Sequence, residues 1–257
     1  MFEHLMHSPT TDNPGHRVFI PVKAVSERCP DKNWAQLGPG SRPLWARAVV
    51  QALKVFQHVA VDTDDLRILD HPQLQQYIVT HADLDNPKVW ERRLIIFPRH
   101  PSVLGAQTNG VDLYRCWDDL APEADSYIAQ WYCTCPFQAT KAVQWALHRL
   151  ENTEPEVIDA VCLGRWVNEF TWTVDHQHRQ PPKRDYQGLP RSQDLLQRLQ
   201  ETTGFYVTRR GCDHRTPDGR TVVLAVETAL EALDINTEDD LFICQAVEAQ
   251  AARDDRG

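Results

Sequence analysis

Short runs of β-forming residues alternate with helical patterns from Arg17 onward, and this alternation leaves few folds open to the chain. Arg17-Val18-Phe19-Ile20 is an apolar run that reads as a first, buried strand. A helix is expected from Leu44 to Phe56, with Pro43 at its start, Ser41 nearby, and Leu44, Ala48, Leu53 and Phe56 on one apolar face. His58 to Val61 is a second strand. Asp62-Thr63-Asp64-Asp65 ends it and opens another helix, with Thr63 as the expected N-cap. Tyr77 to Thr80 is read as a third strand. Strands and helices alternating at such short spacing predict βαβ units and a mostly parallel sheet. Further along, helices are expected at 111–120, 139–150 and 241–252, and strands at 125–131 and 156–163.

The loop after the first strand carries the chemistry. Ile20 to Asn33 contains Lys23, Arg28 and Lys32, together with Ser26, Asn33 and free backbone N–H groups. A strand ending in such a loop makes a cationic cup at the carboxyl edge of a sheet, where open α/β sheets bind ligands. Fixed cations and oriented amides match a polyphosphate. The plain alternative is a solvated basic loop.

The rest of the chain makes that loop more informative. Net charge is -9, so local positive charge is not background. An acidic protein argues against a nucleic-acid partner and against an anionic membrane surface. No run of about 18 apolar residues is present to span a membrane. Residues 1–15 are polar, without an apolar signal core, and read as a disordered extension. Residues 16–252 then form one domain, followed by a tail at 253–257. The seven cysteines are odd in number and contain no C-x-x-C, which predicts reduced thiols in a cytoplasmic protein.

The stretch from Ile20 to Asn33 resembles the amino-terminal signature of the acylneuraminate cytidylyltransferases, the CMP-sialic acid synthetases, roughly I-P-A-R-x-x-S-x-R-x-P-x-K-N. Lys23 stands at the family's Arg position, and Ser26, Arg28, Pro30, Lys32 and Asn33 match. Ala24 and Asp31 stand where the family usually has glycine. Four further stretches follow in family order. Arg99 matches the Arg of an Arg-Pro-x-x-Leu run, with Thr108 and Asn109 near the positions that contact cytosine in relatives. Tyr132 to Phe137 resembles Q-P-T-S-P-L, where Thr134 and Pro136 match and Tyr132 replaces Gln. Arg191 to Leu195 and Gly204 to Val207 resemble R-R-Q-D-L and G-A-x-Y-x. Leu233 to Leu241 resembles I-D-x-D-T-x-x-D, with Asp234 matching and Asn236 replacing an aspartate.

The resemblance implies a nucleotide-diphospho-sugar transferase-like, Rossmann-like three-layer α/β fold with a small dimerisation arm at about 165–190, hence a homodimer. It implies CMP transfer from CTP to a sialic-acid-like nine-carbon keto sugar acid, with release of pyrophosphate. Lys23, Arg28 and Lys32 would hold the triphosphate as the catalytic cations. Ser26, Asn33, Arg99, Thr108 and Asn109 would bind nucleotide. Tyr132, Thr134, Gln193, Phe205 and Tyr206 would bind the sugar. Asp234 and Asn236, two residues apart on an extended segment, would face the same way and hold Mg²⁺. A non-catalytic nucleotide-sugar binding protein of the same fold, or a cytidylyltransferase for another acidic sugar, are the alternatives. Thr237 to Asp240 reads instead as a helix cap with acids in the first turn.

Overall fold

The strand β1 (Arg17–Val22) is buried almost throughout, and its side chains divide between two cores. Val18, Ile20 and Val22 point to one, and Phe19 points to the other. Two apolar faces on one strand require cover on both sides of the sheet. The computed structural model describes residues 17–105, 107–123, 125–170, 172–173, 183–184, 186–188, 190–212, 220–226 and 228–254.

After β1 come α1 (Leu44–Ala52), β2 (His58–Thr63), the short α2 (Leu66–Leu69), α3 (His81–Leu84) and α4 (Pro87–Trp90), then β3 (Leu94–Pro98) and α5 (Gly110–Leu120). The chain continues with β4 (Tyr127–Trp131), α6 (Thr140–Glu151), β5 (Ala160–Val167), and the strand pair β6 (Trp172–Thr173) and β7 (Lys183–Arg184). It ends with β8 (Arg198–Arg209), β9 (Thr221–Ala225) and α7 (Glu238–Asp254). Seven strands form one sheet in the order β3-β2-β1-β4-β8-β5-β9. All pairings are parallel except those of β8, which runs antiparallel between β4 and β5. Helices α1 and α6 cover one face and α4 and α5 the other, giving the three-layer α/β architecture expected.

Several expected elements move. The third strand is Leu94–Pro98, not Tyr77 to Thr80. Leu94-Ile95-Ile96-Phe97 is a continuous apolar run suited to a strand buried on both faces, whereas residues 72–77 form a 3-10 turn and Ile78 makes only a single bridge to Ile96. Helix α1 stops at Ala52 because the chain must turn at residues 53–55 to enter β2. The cap of α2 is Asp65, whose carboxylate accepts from the Arg67 N–H. Thr63 lies on the buried strand end, donates to the Val22 carbonyl and accepts from the Asp65 N–H. β5 begins at Ala160, after a turn at 154–157. β9 falls on no expected element. The expected extension at 1–15, and residues 171, 174–182, 185 and 189 of the expected arm at 165–190, lie outside the described residues; β6 and β7 pair antiparallel within that arm.

One buried ion pair ties the start of the sheet to its far layer. Arg17 Nε donates to Asp125 Oδ2 at 2.9 Å, its Nη2 donates to the Trp90 carbonyl, and the guanidinium lies 4.6 Å over the Trp90 ring. Removing one member leaves the other charged and desolvated. Asp125→Ala should therefore lower unfolding free energy by about 3–5 kcal/mol, read as a fall in the urea midpoint with an unchanged m-value.

Candidate active site

A cavity of about 500 Å³ opens at the carboxyl edge of the sheet. The loop after β1 forms one wall, the segments after β3 and β4 form the floor, and residues 234–236 close the side. Lys23, Ser26, Arg28, Lys32 and Asn33 all line it, as do Arg99, Thr108, Asn109, Tyr132, Thr134, Asp234 and Asn236. The cationic cup is therefore assembled, and four separated stretches of sequence converge on it.

The anchors on each cation are specific. Lys32 Nζ donates to the Ile235 carbonyl at 2.8 Å, and Arg28 Nη2 donates to Asn236 Oδ1 at 2.6 Å. Each head group keeps further donors for the cavity. Asn33 is buried and acts as a staple: its Nδ2 donates to the Lys23 carbonyl at 2.8 Å, and its Oδ1 accepts from Cys133 Sγ at 3.2 Å. It ties the end of β1 to the turn after β4. Asp64 accepts from the Ala24 N–H at 2.6 Å, so the turn after β2 also grips the loop.

Asp31 has φ 54°, the left-handed region that favours glycine. Here a side-chain network holds it. Arg67 Nη1 reaches Asp31 Oδ1 at 2.8 Å, the same guanidinium donates to Asp65, and it lies 5.0 Å over Trp34, whose indole N–H also donates to Asp65. Sequence reasoning missed Arg67, because nothing local marks it as a partner of a residue 36 positions away.

Arg99 lines the cavity from a buried position. Its Nε and Nη2 donate to the carboxylate and carbonyl of Asp62, and Trp117 Nε1 donates to Asp62 Oδ2 at 2.9 Å. Burial pushes the Asp62 carboxyl up, against the opposing pull of Arg99 and Trp117. Asn109 is the N-cap of α5: its Oδ1 accepts from the N–H groups of Val111 and Asp112, and the Asp112 carboxylate returns the bond. Burial pushes the Cys133 thiol up to about 12. Burial, with the Asp234 charge second, raises Cys135 well above its ordinary value. Both thiols stay protonated at neutral pH, so neither is a thiolate nucleophile.

Three expected sugar-binding residues are not among the lining residues. Phe205 is in the core between Phe56 and Trp131. Tyr206 points the other way, as strand alternation requires, and is buried with its hydroxyl on Glu201. Its ring supports Tyr132, edge to face at 6.2 Å. Gln193 is exposed on the 3-10 turn Ser192–Asp194. The cavity instead gains Thr203, which sequence reasoning missed. It lies one residue before the Gly204 to Val207 stretch, and its Oγ1 donates to Asp234 Oδ2 at 2.6 Å.

The pair Asp234 and Asn236 does not fit Mg²⁺ as a two-ligand site. The Asn236 carbonyl oxygen is bonded to Arg28, and its Nδ2 donates to Asp234 Oδ2 at 2.8 Å. Asp234 Oδ1 is buried and takes no hydrogen bond among the described residues. Among those residues, no three His, Cys, Asp or Glu side chains gather as a metal cluster. No described helix is long and apolar enough to cross a membrane.

No protein-family model matches the chain, and no curated protein matches it by sequence. Solved structures do match. One is CMP:2-keto-3-deoxy-manno-octonic acid synthetase complexed with CTP: 17% identity and TM-score 0.54, covering 91% of this chain and 99% of that one. Another is 4-diphosphocytidyl-2C-methyl-D-erythritol synthase from Anaerococcus prevotii DSM 20548: 10% identity and TM-score 0.57, covering 91% of this chain and 96% of that one. At these identities the likeness establishes the fold, and it is the fold that the signature stretches imply.

Gly204 follows the cavity residue Thr203 on β8 and packs tightly. A Cβ there would collide with Gln138 Oε1 and lie 2.9 Å from both Cβ and Sγ of Cys135. The Gly204 carbonyl also accepts from the Tyr132 N–H. Gly204→Ala should lower stability by about 1–3 kcal/mol through overpacking, measured by urea unfolding.

Proposed function

We propose that this protein transfers a cytidylyl group from CTP to the anomeric hydroxyl of a sialic-acid-like keto sugar acid, releasing pyrophosphate. The observation that carries the reading is the anchoring of Arg28 and Lys32. Two cations of the signature loop are tied, within 2.6–2.8 Å, to a segment more than 200 residues away, and face one cavity. Long side chains free in solvent would lose rotamer freedom on meeting a ligand; these are ordered beforehand. The fold neighbour described as complexed with CTP supports cytidine triphosphate as the guest.

In this reading the hydroxyl oxygen attacks the α-phosphorus, its proton passes to solvent, and the bond to the bridging oxygen breaks. Charge then grows on the departing pyrophosphate, where Lys23, Arg28 and Lys32 stabilise it. Ser26 and Asn33 shape the loop, and Arg99, Thr108 and Asn109 border the base. The sugar takes the end lined by Tyr132, Thr134 and Thr203. The high thiol pKa values at Cys133 and Cys135 favour direct displacement over a covalent enzyme intermediate. A second reading is a nucleotide-sugar binding protein without turnover. It draws on Asp234 and Asn236, which are hydrogen-bonded to each other where the resembling family carries two acids.

A pyrophosphate-release assay with CTP, Mg²⁺ and a panel of nonulosonic acids separates these readings. Release that depends on both CTP and the acid is expected. Tight CTP binding with no release under any acid would establish the binding protein instead. Calorimetry should rank CTP above ATP, GTP and UTP, and a purine triphosphate binding equally well would remove the cytidylyl reading. Lys32→Ala should lower kcat by roughly 10²-fold with a smaller change in KM, since its charge matters most as the leaving group departs.

The arm supports a homodimer. Strands β5 and β8 run on as a ribbon, pairing Gly164 to Val167 with Glu201 to Arg198, and Trp166 on it is 60% exposed. Phe170, four residues further on, and Leu196, two residues before β8, are exposed as well. Exposed aromatic and aliphatic side chains on such a ribbon suit the core of an interface. Light scattering at micromolar concentration should give the mass of two chains, and Trp166→Glu should reduce it to one.

A further inference from the structure

The side-chain hydrogen bonds of Asp234 and Asn236 all lead toward one carboxylate oxygen. Thr203 Oγ1 and Asn236 Nδ2 both donate to Asp234 Oδ2, at 2.6 and 2.8 Å. Asn236 Oδ1 then accepts from Arg28 Nη2 at 2.6 Å. A carboxamide has one accepting end and one donating end. Turning Asn236 over would set its oxygen against a carboxylate and its NH₂ against a guanidinium. Its neighbours therefore fix its orientation.

The backbone beneath is equally committed. The Ile235 N–H donates to the Thr134 carbonyl at 2.9 Å, and its carbonyl accepts from Lys32. The Asn236 N–H donates to Asp240 Oδ2 at 2.9 Å. The Ile235 side chain is fully buried with Cys29, Leu37, Leu44 and Cys244. This segment cannot slide to release Asn236, so an ion seeking the Asn236 oxygen would have to displace a guanidinium. An aspartate at 236 would place a second carboxylate against Asp234, with like-charge repulsion where there is now a hydrogen bond.

We infer that Asn236 is a positioning residue for Arg28 and not a metal ligand. It converts the fixed carboxylate of Asp234 into a fixed orientation for an otherwise solvent-exposed guanidinium. Arg28 and Lys32, both held by this one segment, then give a bound triphosphate the positive charge that a two-carboxylate ion site would supply. The inference rests on the cavity being the triphosphate site proposed above, but not on cytidine or on turnover.

Calorimetry with inorganic triphosphate tests it, on the full chain, once in EDTA and once in Mg²⁺. Wild type should bind in EDTA. Asn236→Ala should weaken binding about 10-fold, the scale of one charge-assisted hydrogen bond, and by the same factor in both conditions. With Arg28→Ala already present, Asn236→Ala should change affinity less than about 2-fold, because the group it positions is gone. Arg28 is exposed, so Arg28→Ala itself should fold, and urea unfolding of each variant separates lost binding from lost structure. The inference is overturned if Asn236→Ala leaves the EDTA affinity intact and loses only the gain from Mg²⁺. It is also overturned if the two substitutions are additive. Wild type failing to bind triphosphate in either condition removes both this inference and the proposed function. Binding as expected, with CTP no better than ATP, removes only the cytidylyl reading.

Discussion

The bond from Lys32 to the Ile235 carbonyl is what the site depends on. It joins residues 203 positions apart, and the Arg28 to Asn236 bond beside it spans 208. A loop as long as the one between β1 and α1 cannot fix its own cations. The far end of the chain fixes them, and that end is itself held. Ile235 is buried, Arg47 on α1 makes a two-pronged ion pair with Glu248 on α7, and Gln245 donates to the Gln36 carbonyl. The cup is therefore complete only when α7 has docked against α1. Contacts of such high sequence separation carry a loop-closure cost that the rest of the fold must offset.

The opposite side of the same loop is held by a different device. Asp31 takes a left-handed conformation that costs a non-glycine residue about 1–2 kcal/mol. A glycine would remove that cost but also the carboxylate that Arg67 grips. Taken alone, the Arg67–Asp31 pair is too exposed to count for much. Its strength comes from sharing a guanidinium with Asp65, which is buried, and with the Trp34 ring. Side-chain contacts thus keep the left-handed turn at Asp31 without a glycine. Lys32 and Asn33 follow directly from it.

Much of this was legible in the chain, and the division has a physical basis. β1 and its cations could be read because strand propensity and charge are properties of residues in a short window. The cap at Thr237 was legible in the same way, since its partner is three residues distant, whereas Asn109 was read for a ligand and its capping of α5 was not. Leu94 to Phe97 was passed over because a strand buried on both faces shows no alternation, and a run of four apolar residues carries no period. Phe205 and Tyr206 show the opposite difficulty. The stretch containing them was found, but adjacent strand residues face opposite ways, and both are held by packing, in the aromatic core and beneath Tyr132. The cavity residue of that stretch is Thr203, a short hydroxyl with no distinguishing neighbour. Arg67 and the order of bonds through Asn236 could not be read at all, because no residue type names a partner that distant.

Net charge and local charge then act over different distances. The protein carries -9 overall, and such a field opposes an approaching polyanion. At physiological ionic strength this repulsion is damped beyond about 8 Å, while contacts inside the cavity are far shorter. Affinity for an anion is therefore decided by how well a few cations are held, rather than by how many the chain contains. Lysine and arginine at the protein surface are mostly mobile, and ordering them on a ligand costs conformational entropy each time. Fastening Lys32 to a carbonyl and Arg28 to an amide incurs that cost once, during folding. The burial of Ile235 and the docking of α7 offset it, and the same contacts that finish the core thereby prepare the cavity for negative charge.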